Sequence, residues 1–324
     1  MELAERLLTG DVRALARAIT LVERQDPALP ELLRAVRGRA GRAHVVGITG
    51  PPGGGKSTLT DGLIEVWRRA DRSVGILAVD PSSPYTGGAI LGDRVRMGRH
   101  TLDRGVFIRS MAARGHLGGL APATREAVRM VDASGRDIAL VETVGVGQSE
   151  LEIMNTVDTV VVVATPASGD GVQMIKAGIM EIPDVLVLNK ADLPGADRTF
   201  KELRAVVHEA AHSRPARFRG EDGAPLPVWE PPVVRCVASE GQGLDELGAA
   251  IDRHRLHLEE TGELGHRRTE RFIAEVEGIV AGMAVRQARE AMHRGTIELP
   301  EDGDLTHADP FAVASQILGL TPAP

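Results

Sequence analysis

Aromatic residues are scarce in this chain: 2% of 324 residues, or five Phe, two Trp and one Tyr. That scarcity excludes a base-stacking platform for single-stranded nucleic acid. Positive charge is not in excess either. With 38 Lys and Arg against 45 Asp and Glu, the net charge of −7 argues against a basic face for nucleic acid. One cysteine, Cys236, excludes an intramolecular disulfide framework and fits a reducing compartment. No stretch approaches 18 uninterrupted apolar residues, so no membrane span is expected. The first 25 residues carry Glu2, Glu5, Arg6 and Asp11 without a long apolar run. No signal peptide is predicted, and the expected location is cytoplasmic.

What is present is an ordinary soluble composition, 43% hydrophobic and 26% charged, long enough for one large or two ordinary domains. Its most informative stretch is 43–58, AHVVGITGPPGGGKST. His44 to Thr49 is a short, β-branched apolar run, and it reads as a buried strand. Gly50-Pro51-Pro52-Gly53-Gly54-Gly55-Lys56-Ser57, continued by Thr58, fits the phosphate-loop pattern G-x-x-x-x-G-K-[ST] without mismatch. Glycines let successive N–H groups converge on an anion. Lys56 is expected to reach the β- and γ-phosphates, and the Ser57 hydroxyl to ligate Mg²⁺. The helix that follows adds the positive end of its dipole. This is a nucleotide phosphate site.

Around it the chain alternates apolar runs with helical stretches. Strands are predicted at 43–49, 73–80, 105–110, 137–142, 158–165, 184–189 and 232–237. Helices are predicted at 57–70, 123–134, 170–181, 198–211 and 243–259. The pattern specifies an α/β P-loop NTPase with a mainly parallel sheet and ligands at the strands' carboxyl ends. Residues 1–42 read as an N-terminal helical segment, 43–260 as the P-loop domain and 261–324 as a C-terminal helical arm. In the arm Phe272, Val276, Ile279, Val280 and Met283 form an apolar stripe at helical spacing. It serves either a partner surface or the domain's own core. A further short helix is expected in the tail, around Phe311 to Leu318. Residues 212–227, polar and rich in Pro and Gly, read as a surface loop.

Several motifs follow strand ends. Asn189-Lys190-Ala191-Asp192 places a carboxylate where it can accept from the N1–H and 2-amino group of guanine, a donor pair adenine lacks. Backbone N–H groups of Val237-Ala238-Ser239 would complete the base pocket. Asp80, Asp93 and Glu142 are candidate Mg²⁺ ligands, directly or through water, alongside Ser57. Turn or helix capping is the alternative reading for Asp80 and Asp93. In ETVGVGQSE, Gly145 is placed to donate its N–H to a γ-phosphate. Two glycine clusters, 115–119 and 168–173, read either as turns or as functional loops. His116 belongs to no Cys/His cluster, so no metal role is expected of it.

Taken in order, DPSSPYTGGAILGDRVRM, VETVGVGQSE, GDGVQMIKAGIMEI and NKAD resemble the methylmalonyl-CoA mutase-associated GTPases. These are the MeaB-type G-protein chaperones of adenosylcobalamin-dependent mutases, and nearly the whole chain matches. The resemblance implies a homodimer built partly through the C-terminal arm, and Mg²⁺-dependent hydrolysis of GTP to GDP. It also implies binding to an adenosylcobalamin-dependent acyl-CoA mutase, whose cofactor loading the GTPase gates and which it protects or reactivates. No cobalamin is expected on this chain itself. Ser168 to Glu181, with Lys176, would be a third nucleotide-responsive switch, and Lys176 joins Lys56 and Glu142 as a catalytic candidate. Two departures stand out: Val237 where many relatives have serine, and an enlarged 212–227 loop. Val146, not glutamine, follows Gly145, so slow intrinsic hydrolysis is expected. A nickel metallochaperone would need a Cys/His cluster that one cysteine cannot supply. A small-molecule kinase would need an acceptor pocket and no guanine clamp.

Overall fold

The computed structural model describes residues 2–80, 98–100, 102–112, 120–143, 145, 154–166, 183–213, 219, 223–293 and 309–319. Side chains of a few residues in that set, Asp80 among them, are excepted. The chain divides into two compact units, Met1–Arg268 and Thr269–Pro324.

The first unit opens with helices α1 (Glu2–Leu8), α2 (Val12–Arg24) and α3 (Leu29–Val36). Asp11 starts α2 because its carboxylate accepts the N–H groups of Arg13 and Ala14, at 2.8 and 3.1 Å. Strands then alternate with helices. They are β1 (His44–Thr49), α4 (Lys56–Arg69), β2 (Val74–Asp80), β3 (Val106–Ala112), α5 (Leu120–Ala133) and β4 (Ile138–Thr143). β5 (Thr159–Ala164), β6 (Val185–Leu188), α6 (Ala196–Ser213), β7 (Val233–Arg235) and α7 (Leu244–Glu260) follow. The seven strands form one sheet in the order β3-β2-β4-β1-β5-β6-β7, every pairing parallel. β1 is therefore central, and the chain passes to one side of it for β2 to β4 and to the other for β5 to β7. A ligand crevice opens at the carboxyl end of such a strand.

Alternate side chains of each strand feed two cores. Val45, Leu77, Val141 and Val162 pack with the N-terminal helices, α5 and α6. Val46, Ile76, Leu140 and Val161 pack with Leu63 and Trp67 of α4 and Leu247 and Ile251 of α7. Helices thus cover both faces, which is why the strands read as continuous apolar runs. The N-terminal helices are part of one core, and Arg109 of β3 is ion-paired to the buried Glu23 of α2.

At the amino ends of the strands, Asp158 and Asp184 precede β5 and β6. Asp158 accepts from Val45 N and pairs with Arg268 at 2.7 Å and Arg255 at 3.2 Å. Asp184 accepts from Val160 N at 2.8 Å and pairs with Arg267 at 3.1 Å and His254 at 3.2 Å. Burial pushes the Asp184 carboxyl up, but His254, Arg267 and the Val160 N–H together hold it below the usual range. His44, joined to His254 through Thr159 Oγ1 at 2.7 and 2.8 Å, is pushed down to about 3 by burial. It stays neutral. Arg267 and Arg268 lie in the first turns of α8 (Glu263–His293), so that helix begins within the first unit.

The second unit holds the rest of α8 and α9 (Pro310–Leu318), the short tail helix expected from sequence. Gln287 Nε2 donates to the Ile317 carbonyl at 2.9 Å. Phe272, Val276, Ile279, Val280 and Met283 are all exposed. Among the described residues, no helix is long and apolar enough to cross a membrane.

Candidate nucleotide site

The phosphate loop leaves β1 at Gly50, which has a positive φ of 147°. A Cβ there would lie 2.5 Å from the Val163 carbonyl oxygen, so only glycine lets β1 and β5 close at this point. The loop ends at Gly55, φ 85°, the N-cap of α4. A Cβ at Gly55 would come 2.3 Å from Asn189 Nδ2. The loop is thus pinned at both ends by neighbouring strands. Lys56 is only 6% exposed, and its Nζ donates to the Gly50 and Pro51 carbonyls at 2.8 and 3.0 Å. That holds the ammonium across the mouth of the loop, where anionic phosphates are strongly favoured. Gly54 is buried, while Pro52, Gly53 and Thr58 are exposed.

Glu142, the last residue but one of β4, is in register with Ile48 of β1 and is 5% exposed. Ser57 Oγ donates to Glu142 Oε1 at 2.5 Å. A hydroxyl and a buried carboxylate so close form a hard oxygen pair, the donor type Mg²⁺ takes. Asp80 ends β2 one residue beyond the Val79–Thr143 pair, so its backbone stands at the same edge. Its side chain, Asp93 and Lys176 lie outside the described residues, as do Val146, both glycine clusters and the predicted helix 170–181. Among the described residues no group of three His, Cys, Asp or Glu could hold a metal.

Gly145 is half-buried, and its carbonyl accepts from Thr49 Oγ1 at 2.8 Å. Thr143 Oγ1 donates to Thr49 Oγ1 at 3.0 Å. Neither threonine stood out in the sequence. The available signal was that both adjacent strands end in threonine.

Asn189, 2% exposed, joins three loops. Its Nδ2 donates to the Gly54 carbonyl at 2.8 Å, and its Oδ1 accepts from Ala238 N at 3.1 Å. Lys190 follows with a left-handed φ of 57°, and Asp192 is exposed. Ala191 N donates to the Cys236 carbonyl at 3.0 Å, which ties this loop to the one after β7. Of the N–H groups expected to line the base, Val237 donates to the Gln242 carbonyl and Ala238 to Asn189. Cys236 is buried, and burial pushes its thiol up to about 12. It packs rather than reacts. Of the predicted 212–227 loop, α6 takes the first two residues, and Arg219 bridges to Pro225.

The architecture and its motif order have known counterparts. A Pyrococcus abyssi protein named as a GTPase is 48% identical, over 98% of this chain and 95% of its own length. The GTPase ArgK of Escherichia coli is 38% identical over 84% of this chain and 81% of its own. A solved structure titled LAO/AO transport system kinase superposes with a TM-score of 0.67 at 26% identity, covering 98% of this chain and 96% of that one. Residues 15–293 match the family described as methylmalonyl Co-A mutase-associated GTPase MeaB. The chain belongs to that family of P-loop GTPases.

Proposed function

We propose that this GTPase is a nucleotide-driven switch for an adenosylcobalamin-dependent acyl-CoA mutase, such as methylmalonyl-CoA mutase. It gates cofactor loading into the mutase and protects or reactivates it, while the cobalamin stays with the mutase. The observation that carries the nucleotide half is the Asn189 bridge. It fixes the base-reading loop to the phosphate loop, so a purine and its phosphates are read as one ligand. With the Val237 and Ala238 N–H groups engaged inside the protein, guanine recognition falls to Asp192 and the Ser239 N–H. The partner half rests on the family description, which names the mutase.

In this reading Lys56 neutralises charge on the transferred phosphoryl group. Ser57 and Glu142, with Asp80 and Asp93, would hold Mg²⁺. When bound, the ion supplies further charge neutralisation at the β- and γ-phosphates. Gly145 senses the γ-phosphate. Val146 supplies no water-orienting amide, so the free protein hydrolyses GTP slowly. The mutase completes the site by bringing Lys176 to the γ-phosphate. Completion of this kind is worth roughly 10³–10⁵ in small GTPases, and a smaller factor is expected here. The exposed stripe of α8 joins two copies into a homodimer, and the location is cytoplasmic.

The test is GTP turnover with and without purified cognate mutase, for wild type and Lys176→Ala. Stimulation of the wild type, reduced in the variant, is expected. An unchanged wild-type rate at saturating mutase defeats the partner reading. Stimulation that survives Lys176→Ala keeps the partner and discards the lysine. Turnover that needs no small-molecule acceptor separates the switch from a kinase.

A further inference from the structure

We infer that Thr49 and Thr143 form a hydroxyl relay that holds the switch glycine, Gly145, in position to recognise the γ-phosphate. Both are positioning residues, and the inference rests on the proposed γ-phosphate contact of Gly145. The relay is built from two buried side chains, 5% and 1% exposed, at the ends of β1 and β4. Each hydroxyl has a single proton to donate. The Thr49 proton has the Gly145 carbonyl at 2.8 Å. The Thr143 proton has three acceptors: Thr49 Oγ1 at 3.0 Å, the Gly145 carbonyl at 3.3 Å and the Ile48 carbonyl at 3.5 Å. The shortest arrangement runs Thr143 to Thr49 to Gly145, and it satisfies both buried hydroxyls.

A buried threonine at a strand end ordinarily satisfies its hydroxyl on a nearby backbone carbonyl. Here the Ile48 carbonyl is available, yet it is the longest of the three contacts. The hydroxyls instead converge on Gly145, the first glycine after β4. The two residues also have informative neighbours. Thr49 is bonded to Gly50, whose position is fixed by the Val163 carbonyl. Thr143 is bonded to Glu142, which accepts from Ser57. Phosphate loop, acidic residue and switch glycine are thereby tied through two sets of hydrogen bonds on adjacent residues. The tied carbonyl and the N–H of Gly145 are separated by only that residue's two soft dihedrals, so anchoring the one restrains where the other points.

The consequence is selective. Losing the relay weakens binding of a nucleotide that carries a γ-phosphate and leaves GDP affinity in place. Thr49→Val and Thr143→Val keep the β-branched shape and delete the hydroxyl, and Thr49→Ser keeps the hydroxyl. We would titrate GDP and a non-hydrolysable GTP analogue into each. Hydrogen exchange over 143–150 would be followed in the wild type with either nucleotide. The expected result is an analogue-to-GDP affinity ratio that falls about 5- to 10-fold in each valine variant and recovers in Thr49→Ser. GDP binding doubles as the check on folding. If Thr49→Val does not fold, Thr143→Val and Thr143→Ser carry the same comparison. In the wild type, protection by the analogue no greater than by GDP would remove Gly145 from γ-phosphate sensing, and the relay with it. Where the wild type is protected, an unchanged ratio in the valine variants, or an equal loss of both nucleotides, overturns the relay alone.

Discussion

Asn189→Asp is nearly isosteric, yet it should damage nucleotide binding more than Asn189→Ala. The aspartate variant keeps an acceptor for Ala238 N–H but puts an oxygen where Nδ2 now donates to the Gly54 carbonyl at 2.8 Å. Losing that bond costs about 1 kcal/mol. A carboxylate at a position only 2% exposed also faces a carbonyl and, beyond the loop, the phosphates. At an effective dielectric of about 20, that like-charge repulsion adds about 2 kcal/mol. The sum is about 3 kcal/mol, on the order of a hundredfold in GDP affinity. Asn189→Ala loses both bonds but introduces no charge, which costs about 2 kcal/mol or roughly thirtyfold. The introduced carboxyl is buried, so its pKa rises. As pH falls it protonates and can again donate to Gly54. Calorimetric titration with GDP at pH 8 and pH 5.5 should therefore show partial recovery at the lower pH for Asn189→Asp and none for Asn189→Ala. An Asn189→Asp protein that binds GDP like the wild type at pH 8 would refute the reasoning. So would one that binds more tightly than Asn189→Ala.

Asp192→Asn should weaken GTP about a hundredfold and favour xanthosine triphosphate, whose 2-oxo group suits an amide donor; competitive titration with both nucleotides checks it, and unchanged preference for GTP removes Asp192 from base recognition. The Asp184 carboxyl sits below its ordinary value in the fold, so its contribution is complete above about pH 4 and is lost as pH falls through the lower folded value. Asp184→Asn should cost about 3 kcal/mol at pH 7, because Arg267 and His254 lose their shared anion, and should flatten the acid limb of stability. Melting curves that run parallel for wild type and variant from pH 7 to pH 3 would contradict it. Ile279→Glu with Met283→Glu should give monomers that still bind GDP, while the wild type scatters light as twice 34.5 kDa; a wild type monomeric at micromolar concentration ends the homodimer proposal.

What the sequence made legible was local. His44 to Thr49 is apolar throughout and all six residues are buried, so strand and phosphate loop could be read together. The same holds for β4, β5 and β6, which lie under helices on both faces. Boundaries shifted where a single residue misleads. α5 begins at Leu120 rather than after Pro122, because a proline is tolerated in the first turn, where its missing N–H has no intrahelical partner. β7 is shorter than its apolar run because Val237 leaves the sheet to pair with Gln242. The contacts that complete the site were not legible. Asn189 to Gly54 spans 135 positions and Thr143 to Thr49 spans 94, and no local spacing encodes which strand end will neighbour which. Asp132 makes the same point, since its carboxylate collects the N–H groups of Arg42 and Ala43, about ninety positions away.

The strands themselves supply the missing order. β5 starts beside Asp158 and ends where the Val163 carbonyl crowds Gly50. β6 starts beside Asp184 and runs directly into Asn189, which holds Gly54. Two of the strands that fix the phosphate loop at their carboxyl ends therefore carry, at their amino ends, the carboxylates that grip Arg268 and Arg267. Both are buried on both faces and bonded to neighbours throughout, and a close-packed interior of that kind yields little. Parallel polarity explains the arrangement. It places every strand's carboxyl end, with its loops, on the nucleotide side, and leaves every amino end free to be capped by an acid. Asp158 and Asp184 accept the N–H groups of Val45 and Val160 there and still have oxygens to offer. Arginine is the natural partner for what remains, because its planar fork binds a carboxylate at two points, as Arg267 does with Nη1 on Asp184 Oδ2 and Nη2 on Oδ1. The first turns of the long α8 helix are thus held by the same two strands whose far ends shape the nucleotide site.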